Sequence, residues 1–205
     1  MAARLFQPHF LQPPRGFVRP AFDQPICLEI GAGMGRHAIL FAEQYPDKTL
    51  VAIERTAAKF KVFAVRQQEH TLANLYPVHA DALPWVVHAL PPASVQQLFI
   101  LYPNPEPKNP AQRWLNMPFF EFLLSRLQAD ATITLASNIP AYIDEAATRL
   151  SDVWQLPFEQ RTISADAART HFEVKYLQRG DWCQELIIRK PADYQTRFDD
   201  YVSSP

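Results

Sequence analysis

Three glycines at alternate positions, Gly31, Gly33 and Gly35, follow directly on the apolar run Ile26–Ile30 and open onto a helix-forming segment. No other feature limits the fold so tightly. Glycine lets a backbone turn sharply and approach a ligand closely, and these stand where a buried strand hands over to a helix. One acid, Glu29, lies within the run, and a second, Glu54, closes the next one, Leu50-Val51-Ala52-Ile53. A carboxylate at the end of a second parallel strand can accept both hydroxyls of a ribose. The pattern therefore predicts a nucleoside pocket at the carboxyl edge of a parallel sheet. The dinucleotide pattern G-x-G-x-x-G asks for glycine at position 36, where Arg36 stands, so no pyrophosphate cradle is expected.

The remainder of the chain fits one such domain. Its 205 residues suffice for a full core, and 48% hydrophobic with 20% charged residues is an ordinary globular balance. No apolar run approaches the roughly 20 residues of a membrane span, and no secretory leader is apparent. Cys27 and Cys183 are far apart and read as reduced core thiols, so a cytoplasmic setting is expected. A net charge of -1 excludes a dedicated, uniformly basic nucleic-acid binder. Nineteen prolines cluster near the N-terminus and around 103–118.

Strand and helix patterns alternate. Predicted strands are Ile26–Ile30, Thr49–Ile53, Tyr76–His79, Gln97–Leu101 and Ala131–Ala136, short and apolar as parallel strands buried on both faces should be. Predicted helices are Arg36–Tyr45, Ala57–Thr71, Pro84–Leu90, Pro118–Leu127 and Ala141–Leu150. Phe172–Leu177 and Cys183–Arg189 read as two further strands joined by a hairpin at Gln178-Arg179-Gly180-Asp181. Residues 1–25 form an arm, 26–190 the domain and 191–205 a tail, solvated around Arg197-Phe198-Asp199-Asp200. The arm carries Arg4, Arg15 and Arg19 and is either a disordered or packed tail or a substrate-contacting arm.

Acid-x-G-x-G-x-G resembles the nucleoside motif of class I S-adenosylmethionine-dependent methyltransferases. That resemblance implies an α/β, Rossmann-like fold with a mostly parallel seven-stranded sheet and an antiparallel C-terminal hairpin. It implies S-adenosyl-L-methionine as cofactor, with Glu29 facing its ammonium group and Gly31, Gly33 and Gly35 under its methionine portion. Glu54 would accept from the ribose, and Asp81 would meet the adenine amino group. Asp81 could equally cap the helix that follows it.

More specifically, the chain is similar to the bacterial tRNA (guanine-N7-)-methyltransferase family over roughly 26–190. Leu28-Glu29-Ile30-Gly31-Ala32-Gly33-Met34-Gly35 follows its L-E-I-G-x-G-M-G, and Leu72-Ala73-Asn74-Leu75 its L-x-N stretch. Tyr102-Pro103-Asn104-Pro105-Glu106-Pro107-Lys108 resembles its F-P-D-P-W-x-K loop, and Thr170-His171-Phe172-Glu173 its T-x-F-E. The resemblance implies methyl transfer to a guanine in RNA. Asn104 would orient the base and also line the cofactor pocket, and Lys108, Asn138, Thr170, His171, Phe172 and Glu173 would contact the nucleotide. No metal is implied.

The departures all fall on the acceptor side. The family's loop aspartate is Asn104 and its tryptophan Glu106. Its T-D is Ser137-Asn138, and its basic cluster keeps only Lys108 and Arg113. Guanine N7 carries a lone pair and no proton, so its methylation needs alignment and no general base. A neutral asparagine carbonyl accepts more weakly than a carboxylate, about 1 against about 1.5–3 kcal/mol, and fewer cations weaken the hold on phosphates. A tRNA or other RNA is thus one acceptor class and a small molecule or another base a second. A cofactor-binding paralogue without turnover is the third reading. The L-x-N stretch, the oligomeric state and the histidines carry no further functional expectation.

Overall fold

The computed structural model describes residues 4–203. Strands β1 (Ile26–Ile30), β2 (Leu50–Glu54), β3 (Leu75–His79), β4 (Val95–Leu101), β5 (Leu127–Ser137), β6 (Phe158–Thr162) and β7 (Gln184–Arg189) form one sheet. Its order is β3-β2-β1-β4-β5-β7-β6. β1 to β5 pair in parallel, and β7 runs antiparallel between β5 and β6. The helices are α1 (Arg36–Gln44), α2 (Ala57–His70), α3 (Ala82–Ala89), α4 (Phe119–Arg126), α5 (Pro140–Arg149) and α6 (His171–Gln178).

Side chains alternate across a strand, and here the alternation divides the interior in two. Ile26, Leu28 and Ile30 join Leu98, Ile100, Ile133 and Leu186 beneath α3, α4 and α5. Cys27, Leu50, Ala52, Phe99 and Ala136 pack under α1 and α2 on the other face. That double burial is why these strands read as unbroken apolar runs. Trp85, Phe119, Phe120 and Phe122 are core residues, as expected.

Two sequence expectations are corrected. Phe172–Leu177 is not a strand; it lies in α6, and Gln178-Arg179-Gly180-Asp181 leads from that helix into β7. Thr170 accepts from the Glu173 amide while the Glu173 carboxylate accepts from the Thr170 amide, a reciprocal cap that starts a helix. The antiparallel partner of β7 is instead Phe158–Thr162, an edge strand exposed along most of its length and too polar to stand out. The expected solvated tail is also packed. Phe198 is buried against Phe122, and Arg197 pairs with Glu121.

The N-terminal arm packs as well. Phe6 contacts Phe119 and Phe122 at ring-centroid distances of 5.2 and 5.4 Å. Arg19 donates to the His88 carbonyl at 2.8 Å and to Ser203. Arm and tail thus meet beside the amino ends of β1 and β4, at the opposite edge from the glycine loop. None of the described helices is long and apolar enough to cross a membrane.

Candidate active site

Strand order reverses between β1 and β4: from β1 the chain builds outward through β2 and β3, then returns to lay down β4 and β5 on the other side. In an open parallel sheet the crevice at such a switch lies outside the carboxyl ends of the strands. The loop after β1, Gly31–Gly35, and the loop after β4, Tyr102–Lys108, therefore border the same crevice.

All three loop glycines have left-handed φ, +83° at Gly31, +61° at Gly33 and +80° at Gly35. Their surroundings separate their roles. A Cβ on Gly31 or Gly33 would meet nothing within 4 Å, so those positions border open space. A Cβ on Gly35 would lie 2.0 Å from the Phe63 ring of α2, so this glycine admits close packing of α1 on α2. Gly31 and Ala32 donate to the Ile53 carbonyl at 2.8 and 3.0 Å, tying the loop to β2.

Glu54 is buried at the end of β2. One carboxylate oxygen accepts from the Gly33 amide at 2.8 Å and the other from Thr56 at 2.6 Å. A carboxylate has about four lone-pair positions, so two remain to face the crevice. Glu29 is buried beneath the loop, with Oε2 3.0 Å from Nδ1 of His37, which packs edge-on against Phe99. His37 is thus an interior partner of an acid rather than a surface residue. Asp81 caps α3 by accepting from the Leu83 amide at 3.0 Å, and Arg55 lies 3.7 Å from its other oxygen. Open space over Gly31 and Gly33, with an acceptor at Glu54, fits a nucleoside bearing a short charged arm.

On the facing loop, Tyr102 and Glu106 are non-glycine residues with positive φ, +54° and +45°. Such strain persists where the surroundings impose it. Burial pushes the Tyr102 phenol far above its usual range, with Cys183 and Glu173 adding to the effect. Its ring stacks on Phe172 at 6.1 Å, and Phe172 stacks on Tyr176 at 5.9 Å. Asn104 is exposed, and its Nδ2 donates to Glu106 at 2.7 Å. Lys108 is exposed and makes no ion pair among the described residues. Asn138 follows β5 and is half-buried, while His171 and Phe172 open α6, His171 exposed and Phe172 half-buried.

Thr170 and Glu173 are placed differently from the expectation that they touch a nucleotide. Glu173 is fully buried and accepts from the Arg169 and Thr170 amides, and Arg169 bridges it to Glu185. Their polar atoms are committed to starting α6. The S/T-x-x-E spacing of a capping box was the signal available in the sequence. Arg113, expected among the remaining cations of the loop, is paired with Glu145 of α5.

The Methyltransf_4 family model, described as "Putative methyltransferase", matches residues 23–185. A tRNA (guanine-N(7)-)-methyltransferase from Nitrosomonas eutropha is 31% identical over 179 residues, covering 82% of this chain and 77% of its own length. This chain belongs to that family. A second tRNA (guanine-N(7)-)-methyltransferase, from Rhodospirillum rubrum, is 31% identical over 185 residues, covering 86% and 72%. Among solved structures, the 16S rRNA methyltransferase KamB shares the fold with a TM-score of 0.59 at 18% identity, covering 82% of this chain and 89% of KamB. The protein is thus a class I methyltransferase, and its methyl donor is S-adenosylmethionine. The sheet is the one expected from the glycine motif, with its antiparallel strands at the C-terminal end.

Proposed function

We propose that this methyltransferase acts on N7 of a guanine in RNA, as the names of its relatives state for theirs. Gly31, Gly33, Glu54 and Asp81 hold the cofactor, with Glu29 beneath them and Gly35 seating α1 on α2 behind the loop. When bound, S-adenosylmethionine supplies an electrophilic methyl group on a sulfonium centre. Asn104 borders this pocket and presents the base. Lys108, Asn138, His171 and Phe172 line the acceptor side, while Thr170 and Glu173 serve it by fixing the start of α6.

The observation that carries the reading is the orientation of the Asn104 amide. With Nδ2 turned to Glu106 at 2.7 Å, the carbonyl oxygen is the end left for the acceptor. It can accept from guanine N1–H or the exocyclic amine, the task a loop aspartate performs with a charge. No proton has to leave N7, so a neutral amide is sufficient and no base need face the methyl group. Alignment and exclusion of water provide the acceleration.

The structure also changes the expected effect of restoring the family's aspartate. Asn104→Asp alone sets two carboxylates within hydrogen-bonding distance of each other, at Asp and Glu106, and is expected to reduce transfer to guanosine-containing RNA. Asn104→Asp with Glu106→Trp removes that repulsion and is expected to raise it above the parent. Radiolabelled methyl transfer to tRNA transcripts, with 7-methylguanosine sought on digestion, tests both. Label in RNA at another base or atom, or a double variant no better than the parent, would overturn the assignment of Asn104.

A second reading, a small-molecule acceptor, draws on the ion pair of Arg113. With that cation engaged, Lys108 alone remains unpaired in the segment 103–117, so few phosphates can be neutralised there. RNA methylation should fall as salt rises, whereas turnover of a small neutral acceptor should barely respond.

A further inference from the structure

We propose that Arg113 is a positioning residue for the acceptor loop, held in place by Glu145, rather than a contact to RNA phosphate. The proposal rests on the reading of Asn104 above and deepens it. Arg113 Nε donates to the carbonyl of Pro105, the residue beside Asn104, at 2.8 Å. The same guanidinium pairs with the Glu145 carboxylate on α5 and lies 5.4 Å from the centre of the buried Tyr142 ring. The second oxygen of Glu145 accepts from Asn116, whose amide also donates to the Pro110 carbonyl at 2.9 Å. One carboxylate on a rigid helix thus gathers residues 105, 110, 113 and 116.

Residues 103–113 themselves have few other ties; the next anchor is Leu115, buried in the core with its carbonyl accepting from Trp154 Nε1 at 2.9 Å. Pro103, Pro105, Pro107 and Pro110 have no amide donors. The backbone bonds that remain are local, Asn109 to Glu106, Gln112 to Asn109 and Arg113 to Pro110. Upstream, the Tyr102 amide bonds the Ala136 carbonyl at 2.8 Å, and beyond it, among the described residues, the main chain of the loop makes no hydrogen bond to the sheet. The position of Asn104 is therefore set by side chains. The planar guanidinium fork can bridge a carbonyl and a carboxylate at once, which a lysine ammonium on a flexible stem does poorly. The Arg113 and Glu145 side chains are 18% and 33% exposed, so water screens the pair only in part.

Two variants separate positioning from phosphate binding, because the alternatives require opposite results. Arg113→Lys keeps the positive charge and loses the fork; Glu145→Gln keeps the shape and releases the arginine. Methyl transfer to a tRNA transcript is followed across a salt series, and amide hydrogen exchange of residues 104–113 is measured without RNA. Positioning requires both variants to lose kcat by about tenfold or more, with KM and salt slope close to the parent's, and exchange to accelerate in both. Overturning results are a lysine variant with the parent's kcat, a glutamine variant that binds RNA more tightly with a steeper salt slope, or unchanged exchange. If the parent itself methylates no RNA while exchange accelerates, the loop tie stands and the RNA reading fails.

Discussion

At the scale of single residues, the glycine loop divides two duties that its motif presents as one. Gly35→Ala adds a methyl 2.0 Å from the Phe63 ring and demands left-handed φ of an alanine, so α1 must move off α2. A loss of about 2–4 kcal/mol of stability is expected, read as a lowered urea midpoint. Gly31→Ala meets open space and carries only the conformational cost of about 1–2 kcal/mol. Its methyl faces the crevice, however, so cofactor affinity should fall more than stability does. Glu54→Ala removes a buried acceptor from two amides and, on the proposed assignment, from the ribose, and at least a tenfold rise in the cofactor Kd is expected by calorimetry, about 1.4 kcal/mol. Unchanged affinity would remove Glu54 from the cofactor set.

At the scale of elements, α6 shows what a motif can conceal. Thr170-His171-Phe172-Glu173 reads as a nucleotide-contacting motif running into a strand at Phe172, yet the polar atoms of Thr170 and Glu173 cap a helix. Thr170→Ala should cost about 1 kcal/mol, as loss of an N-cap does. Glu173→Ala should cost more, about 3 kcal/mol, since it leaves two amides without their acceptor and Arg169 with Glu185 alone. Chemical denaturation of the two variants checks the order. β1 and β2 were legible because both faces of each are buried, which writes an apolar run into the sequence. β6 was not legible: an edge strand has one neighbour, and Phe158-Glu159-Gln160-Arg161-Thr162 carries the polarity of its exposed side. Nor could the local sequence show the Arg113–Glu145 pair, whose partners are 32 positions apart and meet only when β5 sets α5 beside the loop.

At the scale of the whole molecule, arm and tail close the amino edge of the sheet around the buried cation Arg126. Arg126 is fully buried and donates to the carbonyls of Leu90, Phe198 and Tyr201 at 2.8 to 3.0 Å. Burial lowers its pKa to about 10 from 12.5, while burial raises Cys27 to about 11 from 9.0 and Tyr142 to about 12 from 10.0. The thiol and phenol keep their protons longer in the fold than in the unfolded chain. Their contribution is complete at low pH, and is lost above pH 9 for Cys27 and above pH 10 for Tyr142. Arg126 acts in the opposite sense above pH 10; between pH 9 and 10 Cys27 acts together with Cys183, which burial also pushes up from 9.0, while Lys190, lowered from 10.5 by burial, opposes them. Across that interval, urea titration under reducing conditions should show stability falling by up to about 1.4 kcal/mol per pH unit. Cys27→Ala should flatten that slope, leaving the share of Cys183, even though the cavity it leaves lowers stability throughout.

The sequence by itself determined the α/β architecture and, through motifs that resemble known ones, the family. Each is written locally, in strand periodicity, glycine spacing and acids at strand ends. Tertiary structure alone decided which of the motif's polar groups remain available to a ligand. Arg113 is engaged by Glu145, and Arg169 beside the Thr170–Glu173 cap by Glu185, partners that only folding delivers, because a charged group leaving water must find a compensating neighbour wherever the chain places one. Whether the side chains of Asn104 and Glu106 compete or cooperate is likewise a matter of 2.7 Å, a distance set by the turn of a proline-rich loop in space.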